Sequence, residues 1–117
     1  MDVFKNMLRI TITIIFLLCF LSVSAEANTT AKITKILMYE QGDIIYVYPE
    51  GGVQNPPSCH GSNGDYLSYK MSRPMAKEYF SMLMLAFAAQ KTVAFRTEGQ
   101  CLDQSVSETI RYFTVYR

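Results

Sequence analysis

Hydrophobic and polar positions change rhythm along the chain, and each change predicts an element. Lys32 to Tyr39 (KITKILMY) is rich in branched and aromatic residues and predicts a first strand. Glu40-Gln41-Gly42-Asp43 reads as a tight turn, and Ile44 to Tyr48 (IIYVY) as the second strand of a hairpin. In that strand Ile44, Tyr46 and Tyr48 share one face, while Ile45 and Val47 take the other. Asp65 to Met71 (DYLSYKM) alternates again, with Leu67, Tyr69 and Met71 opposite Tyr66, Ser68 and Lys70. Thr92 to Thr97 and Glu108 to Tyr116 complete five strands.

The rhythm switches to a helical period only from Pro74 to Lys91 (PMAKEYFSMLMLAFAAQK). Ser72 is the expected N-cap, and Pro74 falls in the first turn, where a missing N–H costs nothing. Met75, Tyr79, Met82, Leu83, Ala86 and Gln90 form one face, widened by Phe80 and Phe87. The opposite face begins polar at Lys77, Glu78 and Ser81, then turns apolar at Met84, Leu85 and Ala88. A helix apolar nearly all round is usually covered on more than one side. Met84, Leu85 and Ala88 therefore predict an oligomer interface; the alternative cover is the chain's own loop from Pro49 to Gly64.

The order strand, strand, strand, helix, strand, strand predicts a mainly β domain with one helix. It is the connectivity of the OB-fold, a five-stranded Greek-key barrel. The alternative is an α+β layout, a helix on an antiparallel sheet. Glu26 to Ala31 reads as a polar, frayed start, and both Pro49 to Gly64 and Glu98 to Ser107 as loops.

The N-terminal residues change the picture of compartment. Lys5 and Arg9 precede an uncharged, greasy run from Ile10 to Leu21, and Val23-Ser24-Ala25 suits signal peptidase. Residues 1–25 are expected to be a signal peptide, with cleavage after Ala27 nearly as good. A retained anchor is the alternative. Residues 26–117 form the single domain, which would be periplasmic or secreted.

Removing Asp2, Lys5 and Arg9 takes Lys plus Arg from 11 to 9 and Asp plus Glu from 10 to 9. A neutral domain without clustered cations argues against nucleic acid as a partner, and against a basic membrane-surface module. No membrane insertion is expected once the signal is cleaved. Cys19 leaves with the leader, so Cys59 and Cys101 are expected to form a disulfide. Free thiols or an intermolecular bridge are the alternatives.

Little suggests catalysis. His60 is the lone histidine, and Ser58, His60 and Asp65 share a polar loop with nothing to supply an oxyanion hole. No metal site, cofactor or enzymatic activity is expected. The aromatic load is more informative, because a tyrosine ring suits stacking on sugars or anchoring a protein interface. Tyr46, Tyr48 and Tyr66, with Tyr112 and Tyr116, carry that reading. The simpler reading is that strands favour tyrosine.

The stretches AKEYFSMLMLAFAAQKTVAFRTEG and KITKILMYEQGDIIYVY resemble the B subunits of AB5 toxins, in the subtilase-cytotoxin and typhoid-toxin branch. The resemblance implies an OB-fold that assembles into a ring, usually a pentamer, binds host glycans and carries a catalytic A subunit. Where that branch holds sialic acid with a serine early in its first strand, this chain has Thr29, Thr30 and Lys32. The branch's longer tail after strand four is here the short TEGQC loop. Thr30 and Lys32 join Tyr46, Tyr48 and Tyr66 as expected ligand-binding residues. The expected function is thus a secreted, oligomeric glycan-binding module. The alternative is a periplasmic or secreted protein-binding module (inhibitor, adaptor or assembly factor), and a small enzyme ranks last.

Overall fold

The computed structural model describes residues 1–18, 28–61 and 65–117, with the side chains of 11–18 excepted. A helix α1 covers Asp2–Leu18. The cleavage positions at Ala25 and Ala27 lie outside the described residues. Among the described residues, no helix is long and apolar enough to cross a membrane.

Six strands and a second helix follow: β1 (Asn28–Ala31), β2 (Ile33–Tyr39), β3 (Ile44–Pro49), β4 (Leu67–Lys70), α2 (Ala76–Ala88), β5 (Val93–Thr97) and β6 (Ile110–Val115). They form two three-stranded sheets, ordered β1-β5-β6 and β2-β3-β4, and every pairing within them is antiparallel. The fold is mainly β, as expected, with two helices and six strands among the described residues.

The sixth strand comes from residues expected to fray. Asn28–Ala31 pairs with β5, Thr29 lying opposite Phe95. Thr29 is fully buried, and its hydroxyl accepts the Gln54 N–H at 3.0 Å. A β-branched residue with its oxygen satisfied fits a strand well, which the polar look of the segment hides. At Lys32 the chain leaves one sheet for the other, and the Lys32 carbonyl accepts from Glu50 N–H at 2.8 Å. The β2–β3 hairpin turns through a short 3₁₀ segment, Glu40–Gly42, closed by Asp43 at φ 53°. Asp tolerates this left-handed conformation better than most residues.

β4 and β6 are shorter than the alternation implies. Between them the Ser68 N–H donates to the Glu108 carbonyl at 3.1 Å, and Ser68 forms an isolated parallel bridge with Thr109. This seam explains why Ser68, on the face opposite Leu67 and Tyr69, is also fully buried.

The second helix starts later than its periodicity suggests, and Ser72 does not cap it. The N-cap is Met75, at φ 62° and without a side-chain cap. Arg73 fixes the preceding turn: its guanidinium donates to the Ile110 carbonyl and lies 3.6 Å from the Asp103 carboxylate. At the other end Lys91 N–H donates to Ala86 carbonyl and Gln90 N–H to Phe87 carbonyl, with Gln90 at φ 53°. That pair of bonds is a Schellman stop, here with Gln in place of Gly.

The core gathers Ile33, Ile45, Val47, Leu67, Tyr69, Val93, Phe95 and Ile110 under Ala76, Leu83 and Ala86 of the helix. Each large buried side chain contributes roughly 1.5–3 kcal/mol. The buried stripe runs through Ala76, Tyr79, Phe80, Leu83 and Ala86, so the expected face is rotated. Met75 and Met82 are exposed. Small Ala76 and Ala86 let the helix lie close to the sheets, and the Tyr79 hydroxyl donates to Arg111 carbonyl at 3.0 Å.

Cys59 and Cys101 are joined by a disulfide, which ties the loop after β3 to the loop after β5. The same contact is reinforced by Gly61 N–H donating to Val106 carbonyl at 2.8 Å.

Candidate ligand-binding face

The alternation in β3 decides which side chains meet the core. Ile45 and Val47 enter it, so Tyr46 and Tyr48 point away and stay half-buried. Tyr66, just before β4, joins them. Its ring lies 4.7 Å from Tyr46 in an edge-on arrangement and 5.3 Å from Tyr48, tilted. Tyr39 extends the row at 6.4 Å from Tyr46. Pairing places Lys35 opposite Tyr48, and its ammonium sits 3.9 Å from that ring's centre. A cation over a ring face is worth about 0.5–1 kcal/mol at an exposed site.

Behind this face a polar chain runs into the interior. Gln104 Nε2 donates to the Tyr46 hydroxyl at 2.8 Å, and Ser107 Oγ donates to Gln104 Oε1 at 2.5 Å. Ser107 Oγ also lies 2.5 Å from Ser68 Oγ, both residues being fully buried. Burial, and then the neighbouring Tyr66, Tyr39 and Tyr48, push the Tyr46 phenol above its ordinary value. Next in the seam, Glu108 is fully buried. Burial pushes its carboxyl up, and nothing stronger than the Thr97 hydroxyl opposes it.

The other expected ligand residues are placed elsewhere. Thr30 exchanges backbone bonds with the Gln54 amide, at 3.3 and 3.4 Å. Lys32 lines an open groove with Glu50, Phe87 and Gln90. Among the described residues, no hydrogen bond or ring contact joins Thr30 or Lys32 to the tyrosines. Tyr112 lies opposite Arg96 on β6, and Tyr116 borders a groove beside Leu85. The structure therefore assembles Tyr46, Tyr48 and Tyr66 and separates Thr30 and Lys32 from them.

The outward side of α2 is apolar and, among the described residues, exposed. Leu85 is 63 % exposed, Met82 46 % and Met84 40 %, and Ala88 is exposed as well. The described residues of the loop after β3 bond instead to Thr29, Thr30, Lys32, Val106, Glu108 and Cys101.

Among the described residues, no hydrogen bond joins Ser58, His60 and Asp65. His60 Nδ1 faces the Glu108 N–H at 3.4 Å and its Nε2 is buried. Asp65 crowds Gly52, where an added Cβ would meet its carboxylate at 2.8 Å. Among the described residues, no group of three or more His, Cys, Asp or Glu side chains could hold a metal.

Lys35, Tyr39 and Gln104 belong to the face but escaped the reading of the sequence. The hairpin register would have placed Lys35 opposite Tyr48. Gln104 gives no signal, since it arrives from a loop 58 residues away. No family model, curated protein or solved structure matches the chain.

Proposed function

We propose that the chain is an exported binding module that recognises glycans through Tyr46, Tyr48 and Tyr66 and self-associates through α2. One observation carries the reading: three half-buried rings and a lysine stand together on the outward face of a sheet. Rings held in place by their neighbours offer stacking area at little cost in conformational freedom. The greasy leader and the Cys59–Cys101 bond support export.

An OB-type barrel of five strands is the architecture we infer. Its support is that β1 and β2 read as one strand bent at Lys32 and shared by both sheets. The Ser68–Thr109 parallel bridge then joins the third and fifth strands of that count. With it comes the resemblance to B subunits of AB5 toxins, hence a ring of copies, possible in closed symmetry with one repeated patch of Met84, Leu85 and Ala88. A catalytic A subunit would be the further partner.

A glycan array with the mature protein tests the reading. A bound sugar should be lost by about tenfold or more in Tyr48→Ala and Tyr66→Ala, which corresponds to ~1.4 kcal/mol. Unchanged binding in both variants, or no sugar retained by the wild type, overturns it. The exposed Met82 and Leu85 favour a second reading, a protein-binding module, for which the array stays blank and a partner protein occupies α2.

A further inference from the structure

We infer that Gln104 and Ser107 set the polarity of the tyrosine face: Tyr46 points its hydroxyl proton outward, so the ligand must present a hydrogen-bond acceptor there. A sugar hydroxyl oxygen, ring oxygen or acetamido carbonyl has that chemistry. The inference rests on the glycan reading of the same face and adds what the bound sugar must offer.

The polarity follows from counting protons along the chain. A serine hydroxyl has one proton to donate. Ser107 gives its proton to Gln104 Oε1 at 2.5 Å, so in its 2.5 Å contact with Ser68 it must accept. With its oxygen used by Ser107, the Gln104 amide turns its NH₂ to the Tyr46 hydroxyl at 2.8 Å. Tyr46 accepts that bond, and its own proton remains for the outside. The reverse assignment would have Tyr46 donate inward and Ser107 donate to Ser68. The Ser68 proton would then need another acceptor, and among the described residues Ser68 Oγ makes no second bond. Ser68 is fully buried, so bulk water does not supply one, and a buried donor without a partner is costly. Each link in such a chain also polarises the next. The nearby Lys35 ammonium is likewise a donor with no acceptor capacity. Gln104 and Ser107 are thus positioning residues for Tyr46.

Replacing Gln104 with Glu reverses the polarity almost isosterically. At neutral pH a carboxylate can only accept, so Tyr46 must turn its proton inward. Two measurements follow it. The first uses protein labelled with ¹³C at the tyrosine ring carbon bearing oxygen, with Tyr46 assigned through Tyr46→Phe. In Gln104→Glu the Tyr46 phenol should titrate at higher pH than in wild type, and Ser107→Ala, which lets the amide turn either way, should move it less. The second is binding to the oligosaccharide array: Gln104→Glu should lose about tenfold at pH 7, or ~1.4 kcal/mol. Binding should recover at acidic pH, when the new carboxyl regains a proton to donate. An unshifted Tyr46 titration in Gln104→Glu overturns the inference, as does full sugar binding by that variant at pH 7. If wild type retains no sugar, the glycan reading fails, while the Tyr46 titration still decides the polarity.

Discussion

The tyrosine face and the outward side of α2 are both apolar surfaces in contact with solvent, yet they are built differently. Around Tyr46 the rings touch one another, Lys35 lies over Tyr48, and Gln104 holds a hydroxyl. Met82, Met84 and Leu85 on α2 have no polar tip and stand exposed among the described residues. Directional groups held in place suit a ligand with directional groups of its own. Flexible methionines beside a leucine suit burial against another apolar surface, where shape can adjust.

The contrast breaks most severely at the disulfide. The Cys59–Cys101 bond, closing a separation of 42 residues, clamps the loop that delivers Gln104. In the chain-entropy model, Cys59→Ser with Cys101→Ser should cost roughly 4 kcal/mol of stability. Urea unfolding followed by circular dichroism should show a midpoint far below wild type. An unmoved midpoint would mean that the loop is held by its hydrogen bonds alone.

A smaller effect is expected on the helix side. Burying Met84 and Leu85 against a neighbouring copy would contribute about 1.5–3 kcal/mol each. Leu85→Glu should therefore give a smaller species by light scattering, with secondary structure and the tyrosine face intact. A wild type already monomeric at high micromolar concentration would rule out the proposed interface.

The smallest effect is a pH dependence confined to the seam behind the tyrosines. Glu108 has its carboxyl raised from 4.5, chiefly by burial. The folded state therefore holds that proton more tightly than the unfolded chain does. Its contribution is complete below pH 4.5 and is lost as pH rises through the folded value. Glu108→Gln should be more stable than wild type at neutral pH, with the two curves converging in acid. Parallel stability curves from pH 4 to 8 would show that the carboxyl is not the group responsible.

Alternation alone was enough to read the hairpin of β2 and β3. A sheet with one buried face makes period two visible, and Tyr46 and Tyr48 fall on the outer side once Ile45 and Val47 are assigned inward. The long helix was legible for the same reason, at period 3.6. Its buried stripe was not, because nearly every position is apolar and periodicity then cannot choose a face. Of the expected stripe, Leu83 and Ala86 are buried, whereas Met75 and Met82 are exposed. Thr29 shows the opposite failure: a polar side chain can be a core residue when its oxygen finds a partner, here Gln54, far along the chain.

By itself, the sequence determined the β2–β3 hairpin, the presence of the long helix, the disulfide partners and the apolar excess of the helix. These depend on neighbours a few residues apart, or on Cys59 and Cys101 having one pairing once Cys19 is set aside with the expected leader. Tertiary structure alone decided that Tyr66 meets Tyr46 and Tyr48, that Thr30 and Lys32 stand apart from them, and that Gln104 and Ser107 reach the face from below. Each depends on how two sheets and a loop come together. That arrangement is set by the packing of the whole core, which no local pattern encodes.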